Sequence, residues 1–525
     1  MAFAEVELYD ATLRDGMQGE GMSLTAAEKV RVAHALDALG IDIIEAGFPA
    51  SNPKELEVFE LLSREQFEHA EIAAFGMTRR GGVDVQADTT MQVLAASFAP
   101  IVTIVGKTWG LHLEKVIKVS REENLDMIGE SIDYLVSAGK RVLYDAEHFF
   151  DAWRDDPDYA LACIAAAQAG GVERVVLCDT IGSSMPDDIR AGVAAVKAAF
   201  DVPLGIHCHD DLGLGIANSL AGLEAGATQV QGTMNGIGER TGNANLTTLI
   251  GTLQAGMGVE VVTDAQLEKL TETAHFLDEL LNVSSNPRAP WVGRNAFAHK
   301  GGLHMAGMKV DPSTYENADP EIVGNRRNLV ISELAGRHTV QQRADSAGIE
   351  VNDEQVQRVL ERVKQLEHEG YQFEAADGSF ELLLREETGV VTELFTLESW
   401  RVIIEQEADG DVRTEATIKI WIDGQRHIRT AEGVGPVNAL DTALRAAIVE
   451  THPHLADVQL VNYKVRILDE ASGTDAVVRV ILDATDGEEV WGTTGVNANI
   501  IAASWQALVD SLVYAEQPRQ VGTPR

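Results

Sequence analysis

Basic residues are scarce in this chain. Lysine and arginine total 42 against 82 aspartates and glutamates, a formal net charge of −40 over 525 residues. Phosphodiester backbones and anionic headgroups repel such a chain, which sets nucleic acid and membrane surfaces aside as partners. The acidic residues fall on nearly every polar helix face and not in one tail, so the whole surface is acidic. Salt at high concentration screens charges over a few ångströms, and an acidic excess this large suits a high-salt cytoplasm. Cysteine is almost missing. Cys163, Cys178 and Cys208 stand apart in apolar segments, which reads as buried thiols and argues against a disulfide framework. No apolar run approaches the length of a membrane span, and no signal-peptide pattern is read ahead of the first strand, so a cytoplasmic location is expected. No Gly-x-Gly-x-x-Gly follows the first strand, which argues against a dinucleotide-binding fold.

What is present supports real cores: 45% of residues are apolar and 24% charged, and the length calls for two or three domains. The first ~235 residues alternate short apolar strands with amphipathic helices, the pattern of a parallel sheet. The strands are read at 6–9, 41–46, 72–75, 101–105, 141–144, 174–178, 204–207 and 229–233, with helices such as 25–39, 125–138, 158–169 and 214–225 between them. Glycines 40, 139, 170 and 226 read as helix ends. Eight strand–helix units in this length fit a (β/α)8 TIM barrel better than an open doubly wound sheet. From about 249 to 282 the chain reads as helical, Asn286-Pro287-Arg288-Ala289-Pro290 breaks regular structure, and 340–368 reads as one charged helix. The last ~135 residues repeat themselves: two βββα units, each with a Gly- and Asn-bearing turn (Gly433 to Asn438, Gly495 to Asn497) opening its helix. Such a doubled module reads equally as an anion-binding pair of helix N-termini or as a plain dimerisation domain.

In a (β/α)8 barrel the chemistry belongs at the C-terminal ends of the strands. Those ends carry Arg14 and Asp15, Glu45, Glu147 and His148, Asp179 and Thr180, then His207 and His209. After the eighth strand comes Asn235-Gly236-Ile237-Gly238-Glu239-Arg240-Thr241-Gly242-Asn243. His207 and His209 are two apart on a strand, so both rings project from one face and can reach one ion. With Asp15 on the adjoining first strand and Asn243 nearby, the set of one carboxylate, two imidazoles and an amide oxygen suits a divalent ion that a substrate can chelate. Zn, Mn and Mg all fit. Arg14 beside Asp15 is placed to stabilise negative charge developing on an oxygen. Glu147 reads either as a hydrogen-bond acceptor behind the site or as an acid–base group. Cys208 points the other way, into the packing, and His304 taken alone reads as a surface or capping residue. The pocket that sets acceptor size is read near Gly76, Val105 and Asp145.

Taken together, Asp10 to Gln18 (Asp-x-Thr-Leu-Arg-Asp-Gly-x-Gln), His207-x-His209 and Asn235 to Asn243 resemble the acyl-CoA condensing enzymes, the family of 2-isopropylmalate, homocitrate and citramalate synthases. The resemblance runs end to end. Gly19-Glu20-Gly21, Tyr144 to Asp151 and Ala296 to His304 look most like the citramalate branch. It implies a catalytic barrel over 1–280, linker subdomains covering the active site over 281–385, and a C-terminal allosteric and dimerisation domain over 386–525. It further implies that Asp15, His207, His209 and Asn243 hold the divalent metal. Arg14, Gln18, Thr180, Asn235, Glu239 and Arg240 would contact substrate, with Glu147 beside the 2-oxo acid. His304 takes the position of the base and Tyr315 that of the tyrosine beside it, reaching in relatives into the neighbouring subunit's barrel. Met305-Ala306 follow this histidine where relatives often carry Gln-Asp. The implied reaction joins acetyl-CoA to a small 2-oxo acid, pyruvate in that branch, in a homodimer fed back by an amino acid, isoleucine. The neighbouring possibilities are 2-oxoisovalerate as acceptor, homocitrate formation, or a hydroxyacyl-CoA lyase.

Overall fold

The computed structural model describes residues 6–299, 304, 307–308, 310–329, 337–373, 376–406, 408, 410–468, 476–487 and 489–518. It divides into two units, one comprising 6–297 with 316–327 and the other the remaining described residues.

Eight parallel strands close the first unit into a barrel in sequence order. They are β1 (Glu7–Asp10), β2 (Ile43–Gly47), β3 (Glu71–Met77), β4 (Ile101–Lys107), β5 (Arg141–Glu147), β6 (Arg174–Asp179), β7 (Leu204–Cys208) and β8 (Gln229–Gly232). Closure is direct, with Glu7 to Asp10 of β1 in register with Gln229 to Gly232 of β8. Side-chain alternation sorts each strand into two faces. Ile44, Ala46, Ile206 and Cys208 face outward into the apolar layer under the helices, while Tyr9, Ile43, Ala73, Ile101 and Leu143 pack together inside the barrel. Higher in the interior the residues turn polar: Glu45, Thr103, Asp145 and Gln231 are all buried.

Local chemistry starts the helices where the sequence suggests. Thr25 caps the helix Ala26–Leu39 by accepting from Glu28 N, and the Glu28 carboxylate returns the bond to Thr25 N. Two expected helices are interrupted. The segment 249–282 resolves into Leu246–Gly251, a π-helical turn Thr252–Gly256, and the helices Asp264–Leu267 and Leu270–Leu280. The single charged helix expected over 340–368 is two, Arg337–Ser346 and Asp353–His368, because Gly348 takes φ +68° and Asn352 caps the second with its side chain.

In the second unit, β9 (Ala298–His299) pairs in parallel with β10 (Asn328–Leu329). The repeat is two separate three-stranded antiparallel sheets: β11 (Thr396–Gln406), β12 (Val412–Ile422) and β13 (Gln425–Gly433), then β14 (Gln459–Ile467), β15 (Val478–Thr485) and β16 (Val490–Asn497). Ile418, Ile420 and Ile422 meet Leu440, Leu444 and Ile448 of the helix Pro436–Ile448, and Val480 and Leu482 join the same core with Leu508 and Leu512 of Ile500–Glu516. The helix Asp377–Thr388 runs across the division expected at 385/386. Its Phe380, Leu383 and Leu384 join the cluster built by 340–373, while Leu382 joins the sheet core.

Candidate metal centre and active-site cavity

The turn after β1 is built by its own side chains. Asp10 accepts from Thr12 N at 2.9 Å and Thr12 Oγ1 at 2.7 Å, and Met234 N donates to Thr12 Oγ1 at 2.8 Å, tying the β1 turn to the β8 turn. Burial pushes the Asp10 carboxyl up to about 7 despite these donors. This turn delivers Arg14 and Asp15 to the barrel mouth. Across the closure, β7 carries His207 as its next-to-last residue, and His209, just past its end, forms an isolated bridge to Asn243, which brings the far end of the glycine-rich loop to the histidines.

Asp15, His207 and His209, all buried, each offer a ligand atom within 4.8 Å of the others. His207 Nδ1 lies 3.0 Å from Gln231 Oε1, an acceptor that places the proton on Nδ1 and leaves the Nε2 lone pair, 3.6 Å from Asp15 Oδ2, for a cation. His209 Nδ1 and Asn243 Oδ1 are buried with no hydrogen-bond partner among the described residues. Burial opposes charge on Asp15, but Arg14, His207 and His209 outweigh it and bring its carboxyl down to about 2. Burial, then the neighbouring His207, lowers His209 to about 4, so its ring is neutral near pH 7. A carboxylate, two imidazoles and an orphaned amide oxygen converging in a buried pocket fit a divalent cation.

Arg14 bonds Asp15 at 3.1 Å and Glu45, and its guanidinium lies over Phe75 with 3.8 Å to the ring centroid. Burial works against that charge, yet Glu45 and Asp15 hold it above the ordinary range. Behind it Tyr9 donates its hydroxyl to Glu45 at 2.5 Å and shares a 2.7 Å bond with Thr103. Burial, then Glu45, pushes Asp145 up to about 8.

These groups open onto a cavity of about 300 Å³ that also receives Gln18, Phe48, Met77, Val105, Lys107, Glu147, Cys178, Thr180, Glu239 and Arg240. Thr180 Oγ1 accepts from His148 N at 2.8 Å, which leaves its own proton to donate into the cavity. Arg240 is engaged by Asp211 at 2.7 Å and by the Thr180 carbonyl at 2.9 Å. Glu147 is ion-paired with Lys107.

Two sequence expectations turn away from the cavity. Asn235, read as a substrate contact, takes φ +58° and spends its side chain on packing: Nδ2 donates to Ala274 O and Asp278 Oδ1, each at 2.8 Å, and Oδ1 accepts from Thr247 at 3.1 Å. Gly76, read as an acceptor-pocket residue, faces outward, where a Cβ would stand 2.4 Å from Leu94 Cδ1. Its neighbours Phe75 and Met77 line the cavity instead. Lys107, Met77 and Gln231 were missed. β3 and β4 each run two residues beyond the ends assigned from sequence, and alternation from Phe75 and Val105 would have placed Met77 and Lys107 on the cavity face. In the second unit His304, exposed, stacks on Tyr315 with ring centroids 4.2 Å apart.

A closed barrel that gathers an aspartate, two histidines and an arginine where its first and seventh strands end defines a (β/α)8 enzyme built around a divalent-cation site. Residues 5–277 match the HMGL-like family, 291–371 the homocitrate synthase post-HMGL domain-like family, and 374–515 the LeuA allosteric (dimerisation) domain. The chain is 44% identical over 514 residues to an (R)-citramalate synthase of Aquifex aeolicus, covering 97% of both chains. It is 45% identical over 511 residues to one of Streptomyces coelicolor, covering 97% of this chain and 96% of the other. A probable 2-isopropylmalate synthase of Methanopyrus kandleri is 37% identical over 506 residues, covering 96% and 97%. The chain belongs to the HMGL-like family of acyl-CoA enzymes, in the branch of the (R)-citramalate synthases. Among the described residues no helix is long and apolar enough to cross a membrane.

Proposed function

We propose that this enzyme condenses acetyl-CoA with pyruvate to give (R)-citramalate and CoA, in the cytoplasm and toward isoleucine. The observation that carries the reading is the Arg14–Asp15–His207–His209 cluster opening on one small cavity, in a chain like the citramalate synthases along nearly its whole length. Asp15, His207, His209 and Asn243 would hold the divalent cation. When bound there, such an ion would supply Lewis-acid polarisation of the 2-oxo acid's carbonyl group.

The remaining work falls to side chains. Thr180 donates its hydroxyl proton to the acceptor's carboxylate. Phe48, Phe75, Met77 and Val105 exclude water and enclose the acceptor's methyl group. A proton leaves the acetyl methyl group of acetyl-CoA to His304, the position the family resemblance assigns to the base with Tyr315 beside it, and Glu147 assists. The resulting thioester enolate forms the new carbon–carbon bond at the ketone carbon, and Arg14 stabilises the alkoxide formed there. Hydrolysis of the thioester then releases CoA. Gln18, Glu239 and Arg240 at the rim are assigned to substrate binding. Similarity of 374–515 to the LeuA allosteric (dimerisation) domain supports a homodimer with feedback by an amino acid at that domain, isoleucine on the family resemblance.

CoA release from acetyl-CoA is the test, measured with pyruvate, 2-oxobutyrate and 2-oxoisovalerate in the presence of Mn, Mg or Zn. Pyruvate is expected to give the highest kcat/KM. A preference for 2-oxoisovalerate would favour 2-isopropylmalate formation, the reading that the Methanopyrus relative supports. No thiol release with any acceptor, at low or high salt, would overturn the synthase reading.

A further inference from the structure

Three cationic side chains face the cavity: Arg14, Lys107 and Arg240. Two are committed elsewhere, Arg14 to Glu45 and Asp15 and Arg240 to Asp211. Lys107 instead pairs with Glu147. The two residues are register partners at the last positions of β4 and β5, so the sheet itself sets their spacing. Their backbones are fastened as well: Asn124 Nδ2 donates to Lys107 O at 2.8 Å, and Thr108 N to Glu147 O at 3.3 Å. Both side chains are mostly buried, at 18% and 20% exposure, so neither swings freely in water.

Glu147 needs such a partner. It shares the cavity with Asp15, Asp145 and Glu239, and opposite charge directly across a strand pair is the cheapest way to hold one carboxylate among several. A lysine reaches it with a compact, strongly charged head.

We propose that Lys107 is a positioning residue for the condensation, holding the Glu147 carboxylate toward the cavity so that it can assist removal of the acetyl methyl proton. The inference rests on the condensation reading and assigns Lys107 an action through Glu147, not through the acceptor's own carboxylate.

A double-mutant cycle tests it. Lys107→Met is expected to lower kcat about 10–100-fold while leaving the acceptor KM within about twofold, and Lys107→Arg to recover most of the loss. The isotope effect on kcat with methyl-deuterated acetyl-CoA rises in Lys107→Met, since proton removal becomes slower relative to the other steps. Lys107→Met/Glu147→Gln is expected to be no slower than Glu147→Gln alone, because the lysine has nothing left to position. Losses that multiply, or a raised acceptor KM at unchanged kcat, overturn the proposal; the second result would make Lys107 a direct substrate contact. A crystal structure of Lys107→Met supplies a readout that needs no turnover: Glu147 is expected to leave its place, and an unmoved carboxylate refutes the positioning role. Wild-type enzyme that releases no CoA from any acceptor would overturn the reaction, while that structure still decides the Lys107–Glu147 coupling.

Discussion

Glu45 is the buried counterweight of Arg14, and Glu45→Gln removes its charge while keeping its shape. The side chain is fully buried, accepts from Arg14 and receives the Tyr9 hydroxyl at 2.5 Å. Taking one partner from a buried ion pair costs about 3–5 kcal/mol. Glutamine keeps an acceptor for Tyr9, and Asp15 still faces Arg14 at 3.1 Å, which argues for the lower end, about 3 kcal/mol. In a barrel of this size that corresponds to a fall in Tm of about 6 °C. The penalty depends on pH through Asp145. Burial, then Glu45, raises Asp145 to about 8, so between roughly pH 4 and 8 the folded barrel holds a proton that the unfolded chain has released. Its contribution to stability therefore falls as pH rises through that window. Without Glu45 the carboxyl of Asp145 ionises more readily and takes up part of the lost countercharge. The variant is thus expected to lose about 3 kcal/mol near pH 6 and distinctly less near pH 9. A loosened Arg14 should also cost about 10²-fold in kcat. Differential scanning calorimetry at the two pH values, with CoA release alongside, measures both. An unchanged Tm at pH 6, or a penalty that grows with pH, would refute the account of the Arg14–Glu45–Asp145 cluster.

Three further outcomes are expected. Divalent cation at 100 times its Kd should add about 2.7 kcal/mol of stability, about 5 °C by thermal shift; His207→Ala or His209→Ala should abolish the shift, and its survival in both would remove the metal centre. Met77→Ala should raise the kcat/KM ratio of 2-oxoisovalerate to pyruvate about 10–100-fold, whereas Gly76→Ala, with its Cβ 2.4 Å from Leu94, should lower stability by about 1–3 kcal/mol and leave that ratio unchanged. In the second unit, burial raises Asp510 to about 7 although Ser379 donates to it at 3.1 Å; stability should fall as pH rises from about 4 to 7, and Asp510→Asn should flatten that dependence in a series of thermal melts.

Much of this was legible because period and punctuation are local properties. Strand–helix alternation and glycines at helix ends such as Gly40 and Gly226 predict eight units, and the closed barrel contains them. The spacing of His207 and His209 places both rings on one strand face before any fold is known, and the doubled βββα pattern appears as two sheets of the expected order. The division at 385/386 was not legible, because a helix with apolar residues on two sides looks alike whether it ends one core or joins two.

Sequence by itself determined the elements, their order, and the residue types at the strand ends, since each depends on neighbours a few positions apart. Only the tertiary structure decided which of those residues share a space. Whether Gly76 or Met77 borders the cavity, whether Asn235 meets substrate or a helix carbonyl, and which carboxylates surround Arg14 all depend on strand length, barrel closure and burial. Those are set by contacts between residues as far apart as Asp15 and His207, and no local pattern records them.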